Sequence, residues 1–189
     1  MSRKEKTHYL IVLDQSGSME SIKETVISLF NEQLQNLQKQ SKKLNLEVTL
    51  AVFNDSTNIL NLGANIKEVQ YLDDKNYRPD NLTALYDAVM ISYNKIKDCV
   101  KKKDRVVALV LTDGMENASK EYNSGDVQDL MDNIEKKGGS FNFLCSSVDI
   151  GYYQGVLNVQ EDDCISFEDE KVEYSLREKL ESVSDDLIF

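Results

Sequence analysis

Asp14-Gln15-Ser16-Gly17-Ser18, Thr83 and Asp113 are of types suited to one chemistry, the holding of a hard divalent cation. Two carboxylates and three hydroxyls offer only oxygen, which suits Mg2+ or Mn2+ in an octahedral site and suits Zn2+ or copper poorly. Alternation along the chain after Asp14 puts Ser16 and Ser18 on the same side as that carboxylate. Gly17 is expected to supply the backbone freedom for a tight turn between them. Alone, Asp-x-Ser-Gly-Ser is weak, because Asp and Ser are favoured in turns and at helix starts for structural reasons. Thr112-Asp113-Gly114 at the end of a second apolar run, with Thr83 between the two runs in chain order, makes coincidence improbable.

The elements around these residues determine whether they can meet. Tyr9 to Leu13 and Arg105 to Leu111 are continuous apolar runs of strand length, the pattern of strands buried on both faces in a parallel sheet. Both end in an aspartate. Ile22, Val26, Leu29, Phe30, Leu34 and Leu37 recur at helical spacing and predict an amphipathic helix from about Glu20 to Gln40, its stripe packed as core. Leu46 to Phe53 reads as a second strand, and Asn54-Asp55 turns the chain into an antiparallel edge strand over Thr57 to Leu62. Asp73 to Asn81 is polar, holds the only proline, Pro79, and reads as a loop. Leu85 to Ile96 predicts a helix, with Thr83 near its first turn and a possible cap. A helix from about Gly125 to Lys136, a stop at Gly138-Gly139, a strand from Phe141 to Cys145, a short helix near Ile150 to Leu157, a weak strand around Cys164 to Phe167 and a closing helix from Glu168 to Ser182 continue the alternation. Strands alternating with helices imply a doubly wound, mostly parallel α/β sheet with one antiparallel edge strand, helices on both faces and a site beyond the C-terminal strand ends.

With the motifs in that order, the chain resembles the von Willebrand factor A domain family. Its metal-ion-dependent adhesion site combines D-x-S-x-S, a distant Thr and a distant Asp, matched here by Asp14-Gln15-Ser16-Gly17-Ser18, Thr83 and Asp113. The resemblance spans nearly the whole chain. Asp113-Gly114-Met115-Glu116-Asn117-Ala118-Ser119 is most similar to the stand-alone members of bacteria and their phages. The family often has glycine two residues before the threonine; Asn81 stands there in this chain, and Asn tolerates left-handed backbone angles better than most residues. The resemblance implies that Ser16 and Ser18 bind Mg2+ or Mn2+ directly, that Thr83, Asp14 and Asp113 bind it directly or through water, and that an Asp or Glu of a protein partner completes the coordination. Glu116 and Asn117 are expected to hold their loop together. Asp73, Asp74 and Asp80 could lend a substitute carboxylate but read better as solvated loop charges.

Composition narrows the alternatives. At 189 residues, 41% hydrophobic and 29% charged, the chain fits one globular domain over residues 1–189. Lys+Arg 22 against Asp+Glu 33 gives a net charge of -11, which disfavours nucleic acid and favours cations or basic partners. No apolar run reaches the ~20 residues of a spanning helix, and the basic start precedes too short an apolar stretch for a signal peptide, so a cytoplasmic protein without membrane contact is expected. Cys99, Cys145 and Cys164 show no C-x-x-C spacing and read as reduced, partly buried thiols. His8, the sole histidine, starts the first strand, far from the site, as a structural or merely exposed residue; this argues against a Ser-His-Asp arrangement. Gly151-Tyr152-Tyr153-Gln154-Gly155 is no dinucleotide fingerprint, and there is no phosphate loop. A metal-assisted hydrolase is the second reading, short of a general base near the site.

Overall fold

A computed structural model describes residues 5–42, 44–146, 149–159, 164–167 and 172–188. Six strands, β1 (Thr7–Asp14), β2 (Leu46–Phe53), β3 (Thr57–Asn65), β4 (Arg105–Leu111), β5 (Ser140–Ser146) and β6 (Cys164–Phe167), form one sheet in the order β3-β2-β1-β4-β5-β6. Every pair is parallel except β2 with β3. The helices are α1 (Lys23–Gln40), α2 (Leu85–Ile96), α3 (Ser124–Lys136), α4 (Ile150–Leu157) and α5 (Val172–Ile188). This is the expected doubly wound α/β sheet with one antiparallel edge strand.

Strand β1 is buried along its whole length because both of its faces are covered. Tyr9, Ile11 and Leu13 pack with α1 and α5 on one side, while Leu10 and Val12 pack with α2, α3 and α4 on the other. Its neighbours are β2 on one side and β4 on the other, so the winding reverses direction between β1 and β4. A crevice at the C-terminal ends of such strands is where this class of fold places its ligands. Asp14 ends β1, and Thr112-Asp113-Gly114 follows β4 at that point.

Local signals set the boundaries. Asn123 and Asp126 form a reciprocal capping box at the start of α3. Gly138, at φ 76°, turns the chain out of that helix. At Gly139 a Cβ would lie 2.1 Å from the carbonyl oxygen of Val106, so only glycine lets β5 start this close to β4.

Three boundaries differ from expectation. The first helix begins at Lys23, not Glu20, because Gly17–Ile22 forms a 3-10 helix whose three-residue period turns Met19 and Ile22 together into the core. β3 runs past Leu62 to Asn65, which pairs with Glu47. The closing helix runs to Ile188 because Leu176, Val183 and Leu187 continue its buried stripe; its expected start at residues 168–171 lies outside the described residues. Among the described residues no helix is long and apolar enough to cross a membrane.

Candidate metal centre

Asp14 is fully buried, and its carboxylate is fixed from two directions. Oδ1 accepts the backbone N–H of Ser16 at 2.6 Å, and Oδ2 accepts the hydroxyl of Thr112 at 2.5 Å. The first bond curls the chain after β1 back towards the strand end, which puts the next two serines over it. Ser16 Oγ and Ser18 Oγ stand 3.3 Å apart. Ser18 Oγ donates to Asp113 Oδ1 at 2.5 Å, joining the loop after β1 to the loop after β4 across 95 residues of sequence.

Thr83 arrives from a third loop. A Cβ on Gly114 would lie 3.5 Å from both Thr83 Oγ1 and Ser18 Oγ, so these two hydroxyls converge on the bare side of that glycine. The Thr83 N–H donates to Asn117 Oδ1 at 2.9 Å, while its carbonyl accepts the N–H groups of Asn117 and Ala118 at 3.0 and 3.2 Å. Its side chain does not cap α2, whose N-cap is Ala84. All five predicted donors therefore gather at the reversal between β1 and β4. Asp14, Ser16 and Thr83 are buried, Asp113 is half-buried and Ser18 is exposed, which leaves one side open.

The remaining expectations resolve residue by residue. Asn81 has φ 65° and its carbonyl accepts Gly17 N–H at 3.2 Å, so it occupies the left-handed conformation its type allows. Gly17 does not: it sits in the 3-10 helix without a positive φ, and a Cβ there would make ordinary contact with the Asn81 carbonyl at 3.6 Å. The glycine is not required by turn geometry. Glu116 accepts the N–H groups of Tyr86, Ala118 and Ser119 and the Ser119 hydroxyl, and so holds its loop as expected. Asp74 pairs with Lys23 at 2.5 Å, Asp73 accepts N–H groups of Lys75 and Asn76, and Asp80 accepts the N–H of Asn81. All three are thus engaged by Lys23 or by groups of their own loop. His8 is buried, not exposed, between Glu47 and Asp104 at the opposite end of the sheet. Cys145 is buried and Cys99 exposed; the side chain of Cys164 lies outside the described residues.

Two residues that sequence reasoning missed hold the backbone of the site. The hydroxyls of the fully buried Tyr77 and Tyr153 donate, each at 2.5 Å, to the carbonyls of Asp14 and Gly114. Burial pushes both hydroxyls above their ordinary value, so they remain protonated donors. Thr112 stands out in the sequence only as part of Thr112-Asp113-Gly114; a hydroxyl beside Asp113 at a strand end is the signal for its role.

Charge at the site is unbalanced. Burial pushes the Asp14 carboxyl up to about 6, against the hydrogen bonds from Thr112 and Ser16, and nearby Asp113 pushes the same way. Among the described residues no three His, Cys, Asp or Glu side chains come together as a metal cage, so a cation here depends on the hydroxyls. Two carboxylates and three hydroxyls form an oxygen-only set, open on one side, which fits Mg2+ or Mn2+.

No protein-family model matches the sequence, and no curated protein matches it either. Solved structures do. The vWF domain of the type V pili tip protein Mfa5 from Porphyromonas gingivalis superimposes with a TM-score of 0.72 over 98% of this chain and 97% of that one, at 8% identity. The fold is that of a von Willebrand factor A domain. The ArnB paralog VWA2 from Sulfolobus acidocaldarius shares it at TM-score 0.63 and 16% identity over 94% of this chain and 46% of that one. A variant of the PilB minor pilin from Streptococcus sanguinis shares it at TM-score 0.67 and 12% identity over all of this chain. The chain spans 64% of that pilin's length. At these identities the likeness is one of fold.

Proposed function

We propose that this von Willebrand factor A-type domain is a protein-binding module whose Asp14, Ser16, Ser18, Thr83 and Asp113 hold Mg2+ or Mn2+, with an Asp or Glu of the partner completing the coordination. The observation that carries the reading is the 2.5 Å contact of Ser18 Oγ with Asp113 Oδ1, which unites the two halves of the motif at the reversal between β1 and β4. The fold shared with the Mfa5 and VWA2 domains supports it. A bound cation would supply a local positive spot on a chain of net charge -11, able to select one acidic side chain on a surface whose remaining field repels acids. Asp14 and Asp113 would offset its charge, and the three hydroxyls would fill neutral positions. A hydrolase would need a base near the cation, and the only histidine lies at the far end of β1.

Mn2+ titration of the protein and of a Ser16→Ala, Ser18→Ala double variant tests this directly. The wild type should bind the ion, and the variant, folded by circular dichroism, should not. A panel of phosphoesters and acyl esters should show no turnover. Equal Mn2+ binding by both proteins, or none by the wild type, would overturn the reading.

A further inference from the structure

Among the described residues five large apolar side chains are conspicuously exposed, and two of them stand beside the candidate ligands: Leu82 at 55% and Met115 at 51%. Leu82 immediately precedes Thr83, and Met115 immediately follows Gly114. They are not loosely tethered. The two-way bonding of Thr83 with Asn117, and the approach of Thr83 Oγ1 to the bare face of Gly114, lock the two loops together. Both exposed side chains therefore stand on backbone that is already tied to the site, one residue from Thr83 and one from Gly114.

Single exposed apolar residues are ordinary on a protein surface. Here two of them flank members of the same five-donor group in sequence, Leu82 next to Thr83 and Met115 separated from Asp113 only by Gly114, on loops that are otherwise mainly polar. Neither contributes to the core that holds those loops. Charge adds a second constraint. Asp80 is exposed, and its N–H donates to the Gln15 carbonyl at 2.9 Å, which puts a carboxylate-bearing residue against the loop that carries Ser16 and Ser18. Arg78 of the same loop offers one positive side chain there, but a partner rich in acids would otherwise meet Asp80 and a chain of net charge -11.

Resting on the metal-bridged reading above, we infer that Leu82 and Met115 form an apolar rim that selects a protein segment in which the single metal-ligating Asp or Glu is flanked by apolar side chains. The rim would exclude water from the contact, and a carboxylate–cation bond strengthens as its surroundings dry. Met is unbranched and polarizable, so Met115 can fit more than one flanking side chain, while Leu82 offers a fixed surface.

The test is selection from a displayed random-peptide library in Mg2+ with elution by EDTA. Three proteins are compared: the wild type, a Leu82→Ser, Met115→Ser double variant, and a Leu62→Ser control that removes an equally exposed side chain from β3. Mn2+ titration and circular dichroism accompany each. Peptides enriched on the wild type and on the control should carry one acid with an apolar neighbour. Synthetic versions should lose about tenfold or more in affinity when the neighbour becomes Ser. The double variant should keep its Mn2+ affinity and fold yet lose that preference. Acid enrichment without apolar flanks, the same preference in the double variant, or no EDTA-released peptides from a wild type that binds Mn2+ would overturn the rim and leave the metal reading standing. A wild type that fails to bind Mn2+ would overturn both.

Discussion

The two ends of strands β1 and β4 each bury an aspartate, and they treat it in opposite ways. At the N-terminal end Asp104 precedes β4 and is almost wholly buried. It accepts the backbone N–H groups of Lys6 and Lys101 at 3.3 and 3.0 Å and faces His8 Nε2 at 3.5 Å. His8 Nδ1 lies 3.6 Å from Glu47, which also pairs with Lys6. Carboxylates and cation-forming side chains are matched there, between elements that start side by side. At the C-terminal end Asp14 has only hydroxyl and N–H donors; burial raises its pKa, and the neighbouring carboxylate of Asp113 adds to the rise. A buried carboxylate with only neutral donors and a like charge beside it is costly, and such costs concentrate at functional sites. One end is built to close the sheet. The other is where we propose that the cation sits.

The sharpest way to break this contrast is at Asp113. Asp113→Ala should abolish Mn2+ binding, because it removes a proposed ligand and the acceptor of Ser18. Its melting temperature in EDTA should equal or slightly exceed that of the wild type, because one of two crowded carboxylates is gone. The metal itself should stabilise the wild type only modestly, by about 0.4 kcal/mol when the ion equals its dissociation constant and about 2.7 kcal/mol at a hundredfold excess. Unfolding in EDTA, or a large loss of stability in Asp113→Ala, would make the C-terminal end a structural centre instead.

Asp104→Ala should do the reverse. It removes the acceptor of the part-buried N–H groups of Lys6 and Lys101 and the carboxylate facing the buried ring of His8, which costs about 2–3 kcal/mol. For a chain of this size that is a fall in Tm of roughly 2–4 °C per kcal/mol. Mn2+ affinity at the far end of the strands should not change. A coupled loss of metal affinity in this variant, measured under conditions where it is folded, would show that the two ends are not independent.

The contrast was only half legible in the sequence. The continuous apolar runs at Tyr9–Leu13 and Arg105–Leu111 declared two doubly covered strands, and the aspartates after them declared where the loops must meet. Asn81 was readable too, as a residue type that takes φ 65° with little strain. What periodicity cannot report is a partner far along the chain. Tyr77 falls in a segment that the sequence marks only as a polar loop, and Tyr153 in one that it marks only as a short helix. Their contacts with Asp14 and Gly114 span 63 and 39 residues. His8 was placed at the correct end of the sheet, but its burial depends on Glu47 and Asp104, which no local pattern links to it. Gly17 differs from expectation: a glycine between two serines suggests a tight turn that needs its freedom, whereas the chain forms a 3-10 helix that other residues could also adopt.

Asp14 gives a gentler probe with a pH signature. In the metal-free protein burial pushes its carboxyl from the ordinary 3.8 up to about 6. The folded state thus binds the proton more tightly. Its contribution to stability is fully present below about 3.8 and is lost as the pH rises through about 6. Asp14→Asn removes the charge while keeping an acceptor for the Ser16 N–H. In EDTA at pH 7.5 it should be more stable than the wild type by on the order of 2 kcal/mol, and the gap should close by pH 4. Equal melting curves at pH 7.5 would mean that the metal-free site already neutralises Asp14.

The smallest expected effect lies at Asn81, where the loop bearing Thr83 approaches the serine loop. Its φ of 65° would normally favour glycine, which adopts that angle freely but loses more chain entropy on folding. Asn sits between these limits, since its short polar side chain tolerates the left-handed region. Asn81→Gly should therefore leave stability within about 0.5 kcal/mol of the wild type and leave Mn2+ affinity unchanged, because the contact that matters is from the backbone carbonyl to Gly17 N–H. Asn81→Val should behave differently. A β-branched side chain at this angle is strained by about 1–3 kcal/mol, and the chain can relieve that strain by shifting the carbonyl away from Gly17 and Leu82-Thr83 away from Gly114. The signature is a loss of Mn2+ affinity together with a modest fall in melting temperature in Asn81→Val, and neither in Asn81→Gly. If both variants bind Mn2+ as the wild type does, the position of Thr83 is set by its bonds to Asn117 and Ala118 alone, and the turn at Asn81 merely connects.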